Sequence, residues 1–211
     1  RAKSCKRQKE DMLSESDRLR GEAVDLYKKI VRNHSDYKEL DRVLFYLATN
    51  LDQVGRADEA MKVYRKLLSK FPNTEHKPNI LLALGEHYFD KKEDPKRALQ
   101  FYQKVTKFED SSVYSYAKYK AAWCYYNMDQ KDQALQVFID VIDYAKSHPN
   151  QPNAKALVNQ ARNDIVMTYS EIGSPEKAIP FFKDLTDDRE EVLKMAERLA
   201  IQYSDKSKYE Y

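Results

Sequence analysis

A chain of 211 residues is long enough for one large domain or for a repeat array with a continuous core. Hydrophobic residues at 42% and aromatics at 12% supply ample buriable surface, which excludes disorder, and 4 glycines beside 34% charged residues favour long helices over sheets. The 37 basic and 34 acidic residues leave a net charge of +3 and interleave as on solvated helix faces, so no nucleic-acid-binding stripe is expected.

In chain order, the first segment is RAKSCKRQK, residues 1–9, with five basic residues and no acid. It predicts a basic helix or coil over residues 1–20. GEAVDLYKKIV follows, with Ala23 and Tyr27 spaced as in half of a helical hairpin, a partial repeat over 21–36. Four units then repeat one pattern, over about 40–74, 78–111, 115–148 and 159–188. Each carries a large residue (Leu51, Tyr88, Tyr125, Tyr169), a polar turn, an alanine (Ala60, Ala98, Ala134, Ala178) and, four residues later, an aromatic (Tyr64, Tyr102, Phe138, Phe182). The alanines are separated by 38, 36 and 44 residues. Apolar residues at three- and four-residue steps give each helix a stripe, and a small alanine lets two helices approach while the aromatic fills the space beside it.

Turn chemistry agrees with hairpins. Asp94-Pro95 and Ser174-Pro175 each place a capping side chain before a proline at the first helical position. Gly55 and Gly173 fall in turns, and Pro72 follows a helix end. The long interval holds YAKSHPNQPNAKA, which predicts an extended loop near 147–153, and Pro180 is expected to kink the helix it enters. VLKMAERLAIQYS, with Leu199, Ala200 and Tyr203, reads as a partial repeat over 190–204. The chain opens without methionine and ends at SDKSKYEY, so it is expected to be a fragment of a longer protein.

Residues with catalytic potential do not converge. His34, His76, His87 and His148 are scattered, with no partner at metal-site or triad spacing, and His87 reads as a packing or solvent-edge residue. The acidic pairs Asp187-Asp188 and Glu190-Glu191 suit a helix start. Four glycines cannot build a phosphate loop. Cys124 sits mid-helix among aromatics, which predicts a buried structural thiol, and two cysteines imply no disulfide framework. No catalytic residue, metal site or cofactor is expected, and no stretch is apolar enough for direct membrane insertion.

The units resemble the tetratricopeptide repeat family. LALGEHYF carries Leu84, Gly85 and Tyr88, and GRADEAMKVYRKLLSKFP carries Gly55, Ala60, Tyr64 and Pro72, at that family's offsets. The resemblance implies an all-α, right-handed superhelical solenoid of antiparallel helix pairs over 21–211, with about four full repeats and a half-repeat at each end. It also implies a concave groove lined by the first helix of each pair. By register these positions are Phe45, Tyr46 and Thr49, then Leu82, Glu86 and Phe89, then Tyr116, Tyr119, Trp123 and Tyr126, then Asn163, Met167 and Ser170.

The third set is informative from spacing alone. Tyr116, Tyr119, Trp123 and Tyr126 share one helical face, while Ala121, Ala122 and Tyr125 form another. A helix with two apolar faces has two burial partners, or else exposes one face for binding. The first reading makes the aromatic face core. The second leaves it free for an extended or proline-containing peptide.

The resemblance implies a non-enzymatic scaffold that binds a protein or peptide segment. LALGEHYFDKKEDPKRALQFYQKV and KYKAAWCYYNMDQKDQALQVF are most similar to bacterial cell-envelope repeat proteins of outer-membrane assembly, Tol-Pal-associated or deltaproteobacterial gliding-motility types. That similarity implies a periplasmic or envelope-associated role. The alternative is a cytoplasmic regulatory domain of a larger enzyme or transcription regulator. The partial repeat at 190–204 leaves an apolar edge, so self-association there is a further expectation.

Overall fold

The computed structural model describes residues 2–151 and 153–205, with side chains from Met12 onward. These residues form ten α-helices and one π-helical turn, with no strand among them. The helices are α1 (Ala2–Asn33), α2 (Leu40–Gln53), α3 (Ala57–Lys70), α4 (Lys77–Glu86), α5 (Pro95–Val105), α6 (Tyr114–Asn127), α7 (Lys131–Ser147), α8 (Ala154–Ile172), α9 (Pro175–Leu185) and α10 (Arg189–Asp205). The π-helical turn, His87–Lys91, continues α4. The fold is an all-α repeat of antiparallel helix pairs. Its contacts divide the chain into two compact units, residues 1–87 and 88–211.

In the first unit, α2 and α3 form a hairpin because their apolar stripes face each other. Leu44, Leu47, Leu51, Ala60, Tyr64 and Leu67 are all buried. Ala60 is fully covered, which lets the helices approach, and the Tyr64 hydroxyl lies 3.0 Å from Thr49 Oγ1. Gly55 takes φ +78° in the turn, a left-handed conformation that glycine adopts without a Cβ clash. Beyond the hairpin, the Thr74 hydroxyl donates to Asp41 Oδ2 at 2.8 Å.

The N-terminal segment, expected as helix or coil, is helical from Ala2, and α1 runs on unbroken to Asn33 through the expected partial repeat. Arg18 pairs with both Glu15 and Glu22, on either side of the expected boundary. Further along α1, Val24 is buried and α1 packs on α2, while Met12, Leu19 and Leu26, seven residues apart, remain exposed. The side chains of the basic segment 1–9, Cys5 among them, lie outside the described residues.

The second unit has its core around α7 and α8. Phe138, Ile142, Ile165, Phe182 and Met195 are each fully buried in one cluster with Ala122, Ala134 and Ala161. Burying an aromatic or aliphatic side chain of this size stabilises by about 1.5–3 kcal/mol. The repeat alanines and aromatics thus do the packing: Ala98, Ala134 and Ala178 are buried, as are Tyr102, Phe138 and Phe182. Tyr88 and Tyr125 are only half-buried, whereas Leu51 and Tyr169 are buried at the equivalent positions.

The turns hold one confirmation and one correction. Asp94 caps α5, its Oδ1 accepting from the Arg97 amide at 2.9 Å. The Ser174 side chain caps nothing; its backbone carbonyl instead accepts from the Tyr169 hydroxyl at 2.8 Å. That tyrosine ring occupies the space where a Cβ on residue 173 would stand, so Gly173 is required by close approach rather than by φ. The 44-residue interval is absorbed by helix length, since α7 has 17 residues and α8 has 19, against 14 in each of α2, α3 and α6. The connection left between them is His148–Asn153. α9 runs through Pro180, which faces solvent.

The second repeat carries one residue more than the others. From the large residue to the alanine the count is nine in three units, and ten from Tyr88 to Ala98. The π-helical turn His87–Lys91 overlaps the start of that stretch, where its wider winding takes up the extra residue. The Tyr88 carbonyl then accepts from the Asp94 amide at 2.9 Å, and the Tyr88 ring stacks on Phe101 at 5.4 Å.

Candidate interaction surface on the first helices

In the second unit, α6 and α8 are successive first helices and pack directly on each other. The aromatic face of α6 lies at that contact. The Tyr119 hydroxyl donates to Asp164 Oδ2 at 2.7 Å, and the Tyr126 hydroxyl donates to Glu171 Oε1. Both pairs span 45 residues, and they stand seven residues apart on each helix, so they form two rungs about two turns apart. Lys131 strengthens the second rung, with Nζ 3.3 Å from Glu171 Oε2 and 3.3 Å from the Tyr126 ring centre.

Trp123 stands between the rungs. Its ring meets Tyr126 edge-on at 5.3 Å and Phe138 of α7 edge-on at 5.9 Å. Tyr119 also leans on Phe138 at 5.7 Å. Tyr119, Trp123 and Tyr126 are therefore half-buried packing residues, not rings left over once the hairpin is built. The two alternatives left by spacing divide along the face: three rings are half-buried against the core, and Tyr116, stacked on Tyr119 at 6.4 Å, is the most exposed of the four at 39%. The sequence reading missed Asp164, Glu171 and Lys131 as their partners. The signal that finds them is the identical 45-residue separation of two tyrosine–carboxylate pairs.

Electrostatics follow this burial. Burial pushes the Tyr119 phenol well above its ordinary value, with the Asp164 carboxylate adding in the same direction. The Tyr126 phenol is raised to about 12, by burial and then by Glu171. The Asp164 carboxyl is raised by burial, against the opposing pull of Tyr119 and Trp123. Cys124 is fully buried, and burial raises its thiol to about 12, so it stays protonated at neutral pH.

The remaining expected groove positions in this unit are mixed. Phe89 lies under Lys120, whose Nζ is 4.2 Å from the ring centre and 3.6 Å from Asp90. Asn163 is exposed and accepts from Arg198 of α10, while Met167 is half-buried. Ser170 turns inward; it is buried and its hydroxyl donates to the Met167 carbonyl at 2.7 Å.

In the first unit, Phe45 stacks face to face on His76 at 4.3 Å, and Tyr46 is 42% exposed. Leu82 and Glu86 are half-buried. Thr49 is not free for a ligand, since its hydroxyl donates to the Phe45 carbonyl at 3.0 Å and meets Tyr64. Tyr46 also stacks at 6.4 Å on Tyr27 of α1. The two rings help line a cleft of about 580 Å³ with Ile30, Tyr37, Arg42 and Val43. No reading of α2 alone could place this cleft, because Tyr27 and Ile30 come from α1 and His34 and Tyr37 from the connection between the helices.

Among the described residues, no group of His, Cys, Asp and Glu could hold a metal ion. No helix among them is long and apolar enough to cross a membrane.

Residues 3–135, more than half of the chain, match the family profile described as tetratricopeptide repeat protein 21 ARM repeat. The chain belongs to this family. No curated protein sequence matches it. Among solved structures, MamA is similar at TM-score 0.57 and 19% identity, over 92% of this chain and 96% of that one. YrrB, a tetratricopeptide repeat protein with an unusual peptide-binding site, is similar at TM-score 0.57 and 20% identity, over 89% and 88%. BtubC from P. vanneervenii is similar at TM-score 0.61 and 14% identity, over 91% and 83%. At these identities the likeness concerns the fold.

Proposed function

We propose that the chain is a protein-interaction scaffold that receives an extended peptide segment of its partner across α6 and α8, the first helices of the repeats in the second unit. Membership of a repeat family and the fold it shares with YrrB, whose own peptide-binding site is known, support a binding role. The observation that carries the reading is the α6–α8 surface. Two tyrosine–carboxylate rungs hold these helices side by side, and Tyr116 and Asn163 stay exposed beside them. A surface held rigid before binding loses little conformational entropy when a partner docks.

The finer setting in our reading is a bacterial cell-envelope complex, periplasmic or envelope-associated. Its support is the resemblance of the segments 82–105 and 118–138 to envelope repeat proteins. A photo-crosslinking residue at position 116 should trap a partner in cells of the source organism. The same residue at Lys62, exposed on α3, should not. Equal trapping at both positions would remove the first helices from the reading.

A further inference from the structure

We infer that the cleft between α1 and α2 holds a proline-containing partner segment in the polyproline conformation; this rests on the peptide-binding reading above and adds a site in the first unit. The cleft holds about 580 Å³ and is lined by three tyrosines, Tyr27 on α1, Tyr37 in the connection and Tyr46 on α2. The buried Val43 adds an apolar surface among them.

The aromatic walls are held in place by contacts within the chain. The Tyr27 and Tyr46 rings lie 19° from parallel with centres 6.4 Å apart, and Phe45 braces Tyr46 edge-on at 5.5 Å. Glu39 Oε2 accepts from the Tyr37 hydroxyl at 3.2 Å and pairs with Arg42 Nη2, which fixes a third ring and a guanidinium at the same cleft. Tyr37 and Tyr46 nevertheless stay 41% and 42% exposed. Ordered rings that face water lose little entropy when a ligand covers them.

The polar groups of the wall select the occupant by charge complementarity. Phenol, guanidinium and imidazole groups line the cleft, and no carboxylate or amide side chain does. The hydroxyls of Tyr27 and Tyr46 have no hydrogen-bond partner among the described residues, and Arg42 engages Glu39 through Nη2, leaving further N–H groups. The wall therefore presents the partial positive charge of its donors and few acceptors. An ordinary peptide brings one N–H for each carbonyl, and those N–H groups would lose water here without replacement. Proline brings none. The carbonyls of a polyproline helix make no internal hydrogen bonds, so they can accept from the tyrosine and arginine donors. The C–H groups of a proline ring, weakly positive beside the amide nitrogen, suit the negative faces of the tyrosine rings. Such a segment is extended before it docks, so binding costs it less order than it costs a flexible chain.

The test is an amide-shift titration of the whole ¹⁵N-labelled chain with two peptides, each acetylated and amidated: Ala-Pro-Pro-Ala-Pro-Pro-Ala and Ala-Ser-Ser-Ala-Ser-Ser-Ala. Saturable shifts at Tyr27, Tyr37, Val43 and Tyr46 with the proline peptide, and none with the serine peptide, are expected. Tyr46→Ala should weaken binding by about tenfold through loss of the ring. Tyr46→Phe, which keeps the ring and removes the donor, should weaken it a few-fold. Equal shifts with both peptides, shifts confined to other elements, or no shift at all overturn the proposal. Unchanged affinity in Tyr46→Phe also overturns it. The same shifts on concentrating the chain without peptide would give the cleft to a second copy and overturn it as well. Trapping at position 116, which lies in the second unit, decides the scaffold reading separately.

Discussion

Tyr119 donates its hydroxyl proton to Asp164 across 2.7 Å, and this bond ties α6 to α8 at the edge of a hydrophobic cluster. A carboxylate half-removed from water needs such a donor, and the phenol in turn gains a charged acceptor. Tyr119→Phe deletes the donor without opening a cavity, so it should cost about 1–2 kcal/mol in urea unfolding. Asp164→Asn keeps an acceptor and removes the buried charge, so its cost should be smaller. The opposite order of the two costs would show that the bond does not govern this contact. Trp123, the chain's single tryptophan, lies between the rungs and reports the transition by fluorescence.

Alkaline pH should loosen the second unit. Tyr119, Tyr126 and Cys124 all have folded pKa values above their ordinary 10.0, 10.0 and 9.0. The folded chain therefore keeps protons that the unfolded chain releases. Their contribution to stability is fully present below those ordinary values and is lost as pH rises beyond them. Thermal melts from about pH 8 to 11 should show a falling midpoint, and Tyr119→Phe with Tyr126→Phe should flatten that fall. An unchanged slope in the double variant would sink this account.

Two glycines should respond in opposite senses. A Cβ at Gly21 meets nothing within 4 Å, and the residue lies inside α1. Gly21→Ala should stabilise by about 0.5–1 kcal/mol, from helix propensity alone. Gly173→Ala should destabilise by about 1–3 kcal/mol, because the new methyl group meets the Tyr169 ring. Midpoints from chemical denaturation compare them directly.

Packing and binding separate at Phe138 and Tyr116. Phe138→Ala empties the centre of the second unit's cluster and should cost about 3–5 kcal/mol. Tyr116→Ala removes a ring stacked on Tyr119 and should cost only about 0.5–1.5 kcal/mol while weakening partner capture. Trp123→Ala touches both properties because its ring rests on Phe138. A loss of binding there would not by itself identify a contact residue.

The repeat architecture was legible because its marks are local. Ala60, Ala98, Ala134 and Ala178 recur with an aromatic one turn later, and all four alanines are buried as that pattern requires. The buried role of Cys124 followed from its place in mid-helix, and the Asp94 cap from the proline after it. The aromatic face of α6 was legible as a face but not in its use. Whether Tyr119 and Trp123 point to solvent depends on α8, about 45 residues away, and helical spacing within α6 carries no information about that neighbour. The same limit hid the Tyr27–Tyr46 cleft, whose walls come from different helices. Ser174 misled for another reason: its neighbour Tyr169 donates to the Ser174 backbone, and a sequence gives no sign of which atom of a turn residue is used.

The π-helical turn at His87–Lys91 gives the second repeat a residue to spare between Tyr88 and Ala98. Single-residue deletions inside helices normally rotate everything downstream by about 100° and pull apolar residues out of the core. Removing Lys91 would instead return the Tyr88–Ala98 interval to nine residues, the count of the other repeats. A length change that is damaging elsewhere is there a return to the common register, and Tyr102 and Ala98 can keep their buried places through it.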